Sequence, residues 1–301
     1  MDAALEGSAV GEATLARWEI AVQDYALAYQ SLPPQDLLAD LLADFGEVRR
    51  LLEGQQPIRH RRRLCRVAGE LAVLAGIFAS ALAEHREARA FFHTARLAAA
   101  EAGDLHLEGT AVVRSAIVSL YYGTPASALT EAARGLHLLG TAVTPAAVRA
   151  LLVEARALAR LGRGAEAIPR LRAAEDMFGR LTLEERQAIA FGYTERQFHF
   201  HLGNAWTHLR RPDEAWTVQK RALGAYAPSE YLDPTLIRLD RATCLARSGE
   251  PEEAYRIAGE ALRDLPDAHR TGMVVQYAQD FRVTAGHPEL PAGREFVELL
   301  R

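Results

Sequence analysis

Three histidines, His199, His201 and His208, are the first residues in this sequence that suggest metal chemistry. His201 and His208 are seven residues apart, which places them on one face if the segment is helical. Metal-binding pairs on helices usually sit four residues apart, as in H-E-x-x-H, and Ala205 occupies that position here. We therefore predict packing and groove histidines, no metal site and no cofactor.

A basic run, RHRRRLCR from Arg59 to Arg66, could contact phosphate groups, because arginine clusters bind phosphates without reading bases. The competing interpretation is a solvated helix face, since Glu47, Glu53 and Glu70 lie nearby in the sequence. Arginine stems often cover helix surfaces in this way. The formal net charge of -4 gives no global positive field for nucleic acid. We favour the solvated face.

Familiar catalytic motifs are absent from the sequence: it has no G-x-S-x-G, no glycine-rich loop with lysine and no H-E-x-x-H. Cys65 and Cys244 stand far apart and outside any C-x-x-C pair, which predicts a reducing compartment. We find no signal peptide, and no apolar run that approaches the roughly 18–20 residues of a membrane span. We therefore predict a cytoplasmic protein without membrane contact or catalytic activity. Convergent catalytic sites escape motif analysis, so an enzyme of specialised metabolism stays as an alternative.

The elements that must position any site follow from a recurring pattern. An apolar helix ends at a Gly or Pro break, acid-x-Ala follows, and a second small residue comes seven positions later. We interpret the first alanine as the point where two antiparallel helices cross, because a small side chain lets their backbones approach. The anchoring alanines, with spacings of 40, 39, 48 and 39 residues, are Ala88, Ala128, Ala167, Ala215 and Ala254. The longest spacing predicts an insertion near Leu181 to Arg186.

This pattern resembles the tetratricopeptide repeat family, whose unit is about 34 residues long. The best copy matches the small-residue positions of the family at Gly203, Ala215 and Ala222, with Trp206 as the large residue of the first helix. It departs at Gln219, where the family has an aromatic residue, and in its longer period. The resemblance covers about residues 64–270. It implies an all-α, right-handed solenoid of antiparallel helix pairs; the alternative is an alanine-rich helical bundle with chance spacing.

The flanks differ from the repeats. Residues 1–14 are small and polar, and we expect them to be disordered. We expect capping helices over 15–63, about five repeats over 64–270, and further capping helices over 271–301, because the ends of solenoids are often atypical.

The flanking motifs also resemble the C-terminal portion of actinobacterial helix-turn-helix transcriptional regulators. They are Trp18-Glu19, Pro33-Pro34 and the basic run that ends at Arg66. The resemblance implies a helical repeat sensor that follows a small DNA-binding domain. The residues before Trp18 are too few for a helix-turn-helix, so we do not expect this chain alone to bind DNA directly. A stand-alone sensor and a regulator whose DNA-reading part was lost or trimmed both stay open.

The concave groove is the candidate binding site. In tetratricopeptide proteins that clamp peptide carboxylates, an asparagine at the place of Asn204 and basic residues one turn away hold the ligand. The resemblance therefore implies that Asn204 and Arg156 face one ligand, and arginine suits bidentate contact with a carboxylate or phosphate. Aligning the repeats on Gly203 gives the predicted ligand-binding residues, which are Tyr121, Arg149, Arg156, Arg160, Phe200, Asn204, His208 and Thr243. The alternative is that these are solvent-facing polar residues without a ligand.

These patterns predict a protein that binds a peptide, a protein or a small anionic ligand in its groove and acts in transcriptional regulation or signalling. A ligand that fits one curvature of the solenoid would favour that curvature and change how a partner, or a second copy in a homodimer, docks. The main alternative is a scaffold that binds another protein without a small-molecule signal.

Overall fold

The computed structural model describes residues 10–29, 31–187 and 190–301, and within these ranges the chain is helical, without a strand. This confirms the all-α prediction. The described helices are α1 (Glu12–Ala28), α2 (Pro34–Glu53), α3 (Ile58–Ala81), α4 (His85–Ala102), α5 (Leu105–Tyr122), α6 (Pro125–Leu139), α7 (Pro145–Arg160), α8 (Gly164–Gly179), α9 (Leu183–Gln187), α10 (Glu195–His208), α11 (Pro212–Ala225), α12 (Leu232–Arg247), α13 (Pro251–Arg263), a 3-10 turn (Asp267–His269), α14 (Gly272–Ala285) and α15 (Pro291–Leu299).

The helices pack in chain order, and alternate helices form two rows. The helices α3, α5, α7, α10, α12 and α14 each contact the next member of this series, and we refer to them as the inner helices. The helices α4, α6, α8, α11 and α13 each pack against the inner helix that precedes them. The inner helix α7 is buried along almost its whole length, whereas α8 buries only one face. An inner helix therefore has neighbours on several sides, and its polar residues must find partners inside the protein.

The anchoring alanines explain the close packing of each helix pair. All five, from Ala88 to Ala254, are fully buried. Glycines serve the same purpose, since a Cβ added at Gly203 would lie 2.7 Å from Cγ of Gln219. Gln219 is buried and donates from Nε2 to Thr207 Oγ1 at 3.0 Å. A glutamine therefore packs at the place where the tetratricopeptide pattern has an aromatic residue.

The two ends of the chain meet across the inner helices. The helix α14 contacts α3, and a Cβ added at Gly272 would lie 2.5 Å from the carbonyl oxygen of Leu82. On another side, Gln197 Nε2 donates to Tyr29 Oη at 2.8 Å, although the two residues are 168 positions apart. The inner helices consequently enclose a space in the middle of the protein.

The N-terminal boundary differs from the expected one. Helix α1 begins at Glu12 and Val10 is buried, so the prediction of disorder is wrong for residues 10–14, whereas 1–9 lie outside the described residues. The reason is that Val10 and Leu15 pack against Leu64, a contact that local composition does not reveal. The boundary between 63 and 64 also falls inside a continuous helix, α3.

Helix α3 also corrects the prediction about apolar runs. By length and composition it could cross a membrane, but 83% of its most apolar window is buried inside the protein. Its apolar character is therefore explained by two-sided packing in the core.

Candidate functional site

A cavity of about 90 Å³ lies between the inner helices. Its walls are mostly apolar, with a few polar groups on different helices, which is the usual character of a small-molecule site. The lining residues are Tyr29, Pro34, Ile77, Phe78, Ser80, Ala81, Phe92, Arg114, Ile117, Tyr121, Arg149, Gln197, Phe200, His201, Leu232, Asp233, Leu236 and Met273. We call this space the central cavity.

Arg149 is the most unusual residue of the central cavity. It is only 2% exposed, its Nη2 donates to the carbonyl oxygen of Gly192 at 2.8 Å, and its guanidinium lies 4.5 Å from the ring centre of Tyr193. Its Nε and Nη1 are buried and have no hydrogen-bond partner among the described residues. Burial lowers the pKa of Arg149 to about 9, and the neighbouring charge of Arg114 acts in the same direction. Arg149 is thus a cation that the folded chain solvates poorly.

Arg114 is the second cation of the central cavity. Its Nη2 donates to the carbonyl oxygen of Ala190 at 2.5 Å, and its Nε has no partner among the described residues. Burial lowers its pKa as well. Within the part of the chain that the structure describes, no carboxylate oxygen lies within 4.0 Å of either guanidinium. Both accepting carbonyls lie between α9 and α10, a few residues after the insertion predicted near Leu181 to Arg186.

Two further titratable groups line the central cavity. Asp233 accepts a hydrogen bond from Tyr226 Oη at 2.8 Å, and burial raises the pKa of its carboxyl. Burial, together with the charges of nearby arginines, holds the pKa of His201 well below its usual range. The Nδ1 of His201 is hydrogen-bonded to Tyr193 Oη. At neutral pH His201 is therefore an uncharged imidazole.

A chain of hydrogen bonds crosses five of the six inner helices, α5, α7, α10, α12 and α14. Arg156 donates from Nε to Asn204 Oδ1 at 2.7 Å and from Nη2 to Tyr121 Oη at 2.8 Å. Asn204 Nδ2 donates to Asp240 Oδ1 at 2.9 Å, and Tyr277 Oη donates to the same oxygen at 2.7 Å. We call Tyr121, Arg156, Asn204, Asp240 and Tyr277 the interhelix network. Each member comes from a different inner helix, so the network fixes the relative positions of all five.

Asp240 is the only carboxylate of the interhelix network. Burial raises the pKa of Asp240 to about 6, although hydrogen bonds from Tyr277 and Asn204 and the charges of Arg156 and Arg160 act against the rise. The acid therefore titrates between its ordinary range and neutrality, and it is largely ionised at pH 7.

The predicted site residues fall into three groups. Tyr121, Arg149 and Phe200 line the central cavity. Arg156 and Asn204 are buried and hydrogen-bonded to each other, so the contact that a clamped carboxylate would make is made within the protein. A second pocket of about 120 Å³, which also touches Asp240 and Tyr277, is lined by Arg160, His208 and Thr243. The role of all eight residues in ligand binding stays a prediction.

Three cavity residues, Arg114, His201 and Asp233, were not among the predicted site residues. A sequence signal existed, because four residues of the cavity wall stand seven positions, or two helical turns, before a member of the interhelix network. The pairs are Arg114 with Tyr121, Arg149 with Arg156, Gln197 with Asn204 and Asp233 with Asp240. The cavity wall and the network are thus adjacent layers of one inner surface.

The other chemical candidates of the sequence have ordinary surroundings. Among the described residues, no group of three histidine, cysteine, aspartate or glutamate side chains could hold a metal ion. In the basic run, Arg59 and Arg63 pair with Glu12, Arg63 also pairs with Glu19, and Arg66 pairs with Glu70 at 3.2 Å. The run is therefore a solvated, ion-paired helix face, although its main partners lie on α1, earlier in the chain than the glutamates considered from the sequence.

No protein-family model matches this chain, and no curated protein matches it as a relative. The functional argument rests on the geometry described above.

Proposed function

We propose that this chain is a tetratricopeptide-type sensor that binds a small ligand, or the end of a peptide, in the central cavity. The observation that carries the proposal is that distant segments of the chain together form the walls of the central cavity. They come from Tyr29 after α1, from α3, from the middle helices and from Met273 on α14. A ligand there touches both ends and the middle of the chain, so it contacts segments that no single repeat brings together.

The mechanism is a population shift. In the closed arrangement described above, α3 contacts α14 and Gln197 is hydrogen-bonded to Tyr29; an open arrangement would lack these contacts. A ligand that binds the closed arrangement tenfold more tightly shifts the equilibrium by about 1.4 kcal/mol toward it. The helices α4, α6, α8, α11 and α13 pack on the inner helices, so occupancy would change the surface that they offer to another protein. The resemblance to actinobacterial regulators supports the proposal that this output acts in transcriptional regulation or signalling in the cytoplasm, through a partner chain or a homodimer.

Native mass spectrometry of the gently purified protein tests the proposal. We expect a co-purifying small molecule or short peptide that is lost from Ile117→Trp, because the larger side chain occupies the cavity that Ile117 lines. The matched control is Ile20→Trp, since Ile20 is 61% exposed on α1. A ligand retained by Ile117→Trp would place binding elsewhere. If the wild-type chain carries no small molecule but co-purifies with one protein in stoichiometric amount, the scaffold alternative is favoured.

Catalysis in the same cavity is a second candidate, and the shifted pKa values of His201 and Asp233 favour it. Titratable groups with shifted pKa values in a cavity are a common property of active sites, although structural networks produce them too. The chemical state of the bound molecule after incubation distinguishes the two functions. A sensor returns its ligand chemically unchanged after prolonged incubation, whereas an enzyme converts it, and His201→Gln would abolish the conversion.

A further inference from the structure

The charge of the central cavity is unbalanced. Two arginines line it, and three of their guanidinium nitrogens (Nε and Nη1 of Arg149 and Nε of Arg114) have no partner among the described residues. Their only hydrogen-bonded partners in the described chain are main-chain carbonyls, at Gly192 and Ala190. A carbonyl dipole compensates a buried cation less well than an anion does. The two cations also repel each other, since the charge of Arg114 lowers the pKa of Arg149 further.

Among the described residues that line the cavity, one acid faces the two arginines, and it does not restore the balance. Asp233 accepts a hydrogen bond from Tyr226, and its carboxylate forms no ion pair within 4.0 Å with either guanidinium. His201 is held neutral by its low pKa. Gln197 and Ser80 carry no charge. The wall around the arginines therefore favours a negative charge on whatever enters.

The remaining wall is apolar and the space is small. Ile77, Phe78, Phe92, Ile117 and Phe200 face the same cavity as the two arginines. The volume of about 90 Å³ exceeds several-fold the roughly 10–15 Å³ that one water requires, so it suits a compact head group with a short apolar body. A folded peptide segment is too large for it.

Resting on the function proposed above, we infer that the ligand is an amphiphilic carboxylate: its acid group binds Arg149 and Arg114, and its hydrocarbon part lies against the aromatic and aliphatic wall. Arginine is a strong donor to carboxylate oxygens, and Nε and Nη1 of Arg149 are unpartnered donors on opposite edges of the guanidinium. An acid group against this guanidinium would supply at least one of the hydrogen bonds that these nitrogens lack in the folded chain.

The test uses three probes with the same eight-carbon chain and different heads, octanoate, octan-1-ol and octylamine, titrated calorimetrically into the full-length chain. We expect octanoate to bind at least tenfold more tightly than octan-1-ol, and octylamine not to bind. Arg149→Met should lower octanoate affinity at least tenfold and leave octan-1-ol affinity unchanged. Arg172→Met, at an exposed position of α8, is the matched control and should change neither. Circular dichroism and a melting curve confirm that each variant is folded.

Each outcome bears on a different statement. Equal affinity for octanoate and octan-1-ol, with both lost in Ile117→Trp, would overturn the anionic ligand and leave the cavity as a binding site. Octanoate binding that survives Arg149→Met would overturn the assignment of its head group. If octylamine bound most tightly of the three probes, the ligand would be a cation paired with Asp233, and the inference of an anionic ligand would be wrong. If no probe binds and the native protein carries no small molecule, the proposed function itself fails.

Discussion

Arg149 and Arg156 stand two turns apart on one helix and are buried to the same extent, at 2% and 1% exposure, yet their surroundings differ. Arg156 donates to Asn204 and Tyr121, and the carboxylate of Asp240 lies one hydrogen bond further on. Arg149 donates to a single carbonyl and leaves two nitrogens without partners. The same residue type on the same helix face is satisfied in one layer and unsatisfied in the next.

The comparison separates two uses of a buried charge. A complete hydrogen-bond network holds helices in fixed positions, whereas a partly satisfied one lowers stability and is kept when another function needs it. Tertiary contacts complete the layer of Arg156 across five helices. The layer of Arg149 opens into the central cavity. We therefore expect removal of the two guanidinium groups to change stability in opposite directions.

The largest expected effect is at Arg156. Arg156→Met removes the donor to Asn204 and Tyr121 and leaves Asp240 without its nearest cationic support, so we expect a loss of about 3–5 kcal/mol in the free energy of unfolding. Urea denaturation followed by circular dichroism measures it. Arg172→Met provides the exposed control on α8 and should be neutral. A loss below about 1 kcal/mol in Arg156→Met would mean that the network does not fix the inner helices.

The next effect is the pH dependence that Asp240 imposes. Its pKa is raised to about 6 in the folded chain from 3.8, so the folded protein holds a proton that the unfolded chain releases between these pH values. The resulting stabilisation is complete below about pH 3 and is lost as the pH rises through 6. By linkage the wild type should lose about 2 kcal/mol more than Asp240→Asn between pH 4 and pH 7.

The readout for Asp240 is the difference between the two proteins at each pH, because other carboxyls also titrate in this interval. Glu70, Glu154 and Asp233 all have pKa values raised by burial, and they are present in both chains. Parallel stability curves for wild type and Asp240→Asn would show that Asp240 has an ordinary pKa, and that the network is less enclosed than described.

Local sequence patterns predicted the parts of this molecule that depend on neighbours in the chain. All five anchoring alanines are buried, and the short helix α9 lies in the longest spacing, where an insertion was predicted. The alignment on Gly203 also identified residues of the inner surface, such as Phe200 and Asn204, since helical periodicity fixes the face on which a residue lies. These features require only the geometry of one helix pair.

The same patterns could not distinguish Arg149 from Arg156. Whether a buried guanidinium is satisfied depends on groups 35 to 48 positions away, such as Tyr121 and Asn204, and no local rule relates them. The contact between Tyr29 and Gln197 spans 168 positions and joins two residues of the cavity wall, so the pairing of these walls was beyond sequence reasoning.

A smaller effect of opposite sign is expected at Arg149. Arg149→Met replaces a poorly solvated cation by an apolar side chain of similar length and removes two unpartnered nitrogens, at the cost of one hydrogen bond and the contact with Tyr193. We expect a gain of about 1–2 kcal/mol in the free energy of unfolding. Arg149→Lys keeps a charge in the same place and should give no gain. Destabilisation by Arg149→Met would instead make Arg149 a structural residue, equivalent to Arg156.

The smallest effect is expected at Arg59. This arginine is exposed, so it is the reference for the stability effects at the buried Arg149 and Arg156. Its guanidinium pairs with Glu12 at 2.9 Å but its side chain is 75% exposed, so water and salt already screen the charge. Arg59→Ala should not change the urea midpoint measurably at physiological salt. The comparison between Arg149 and Arg156 depends on this result. If Arg59→Ala destabilised the protein as strongly as Arg156→Met, the loss would follow from removing any arginine of the chain, and neither burial nor the interhelix network would explain it.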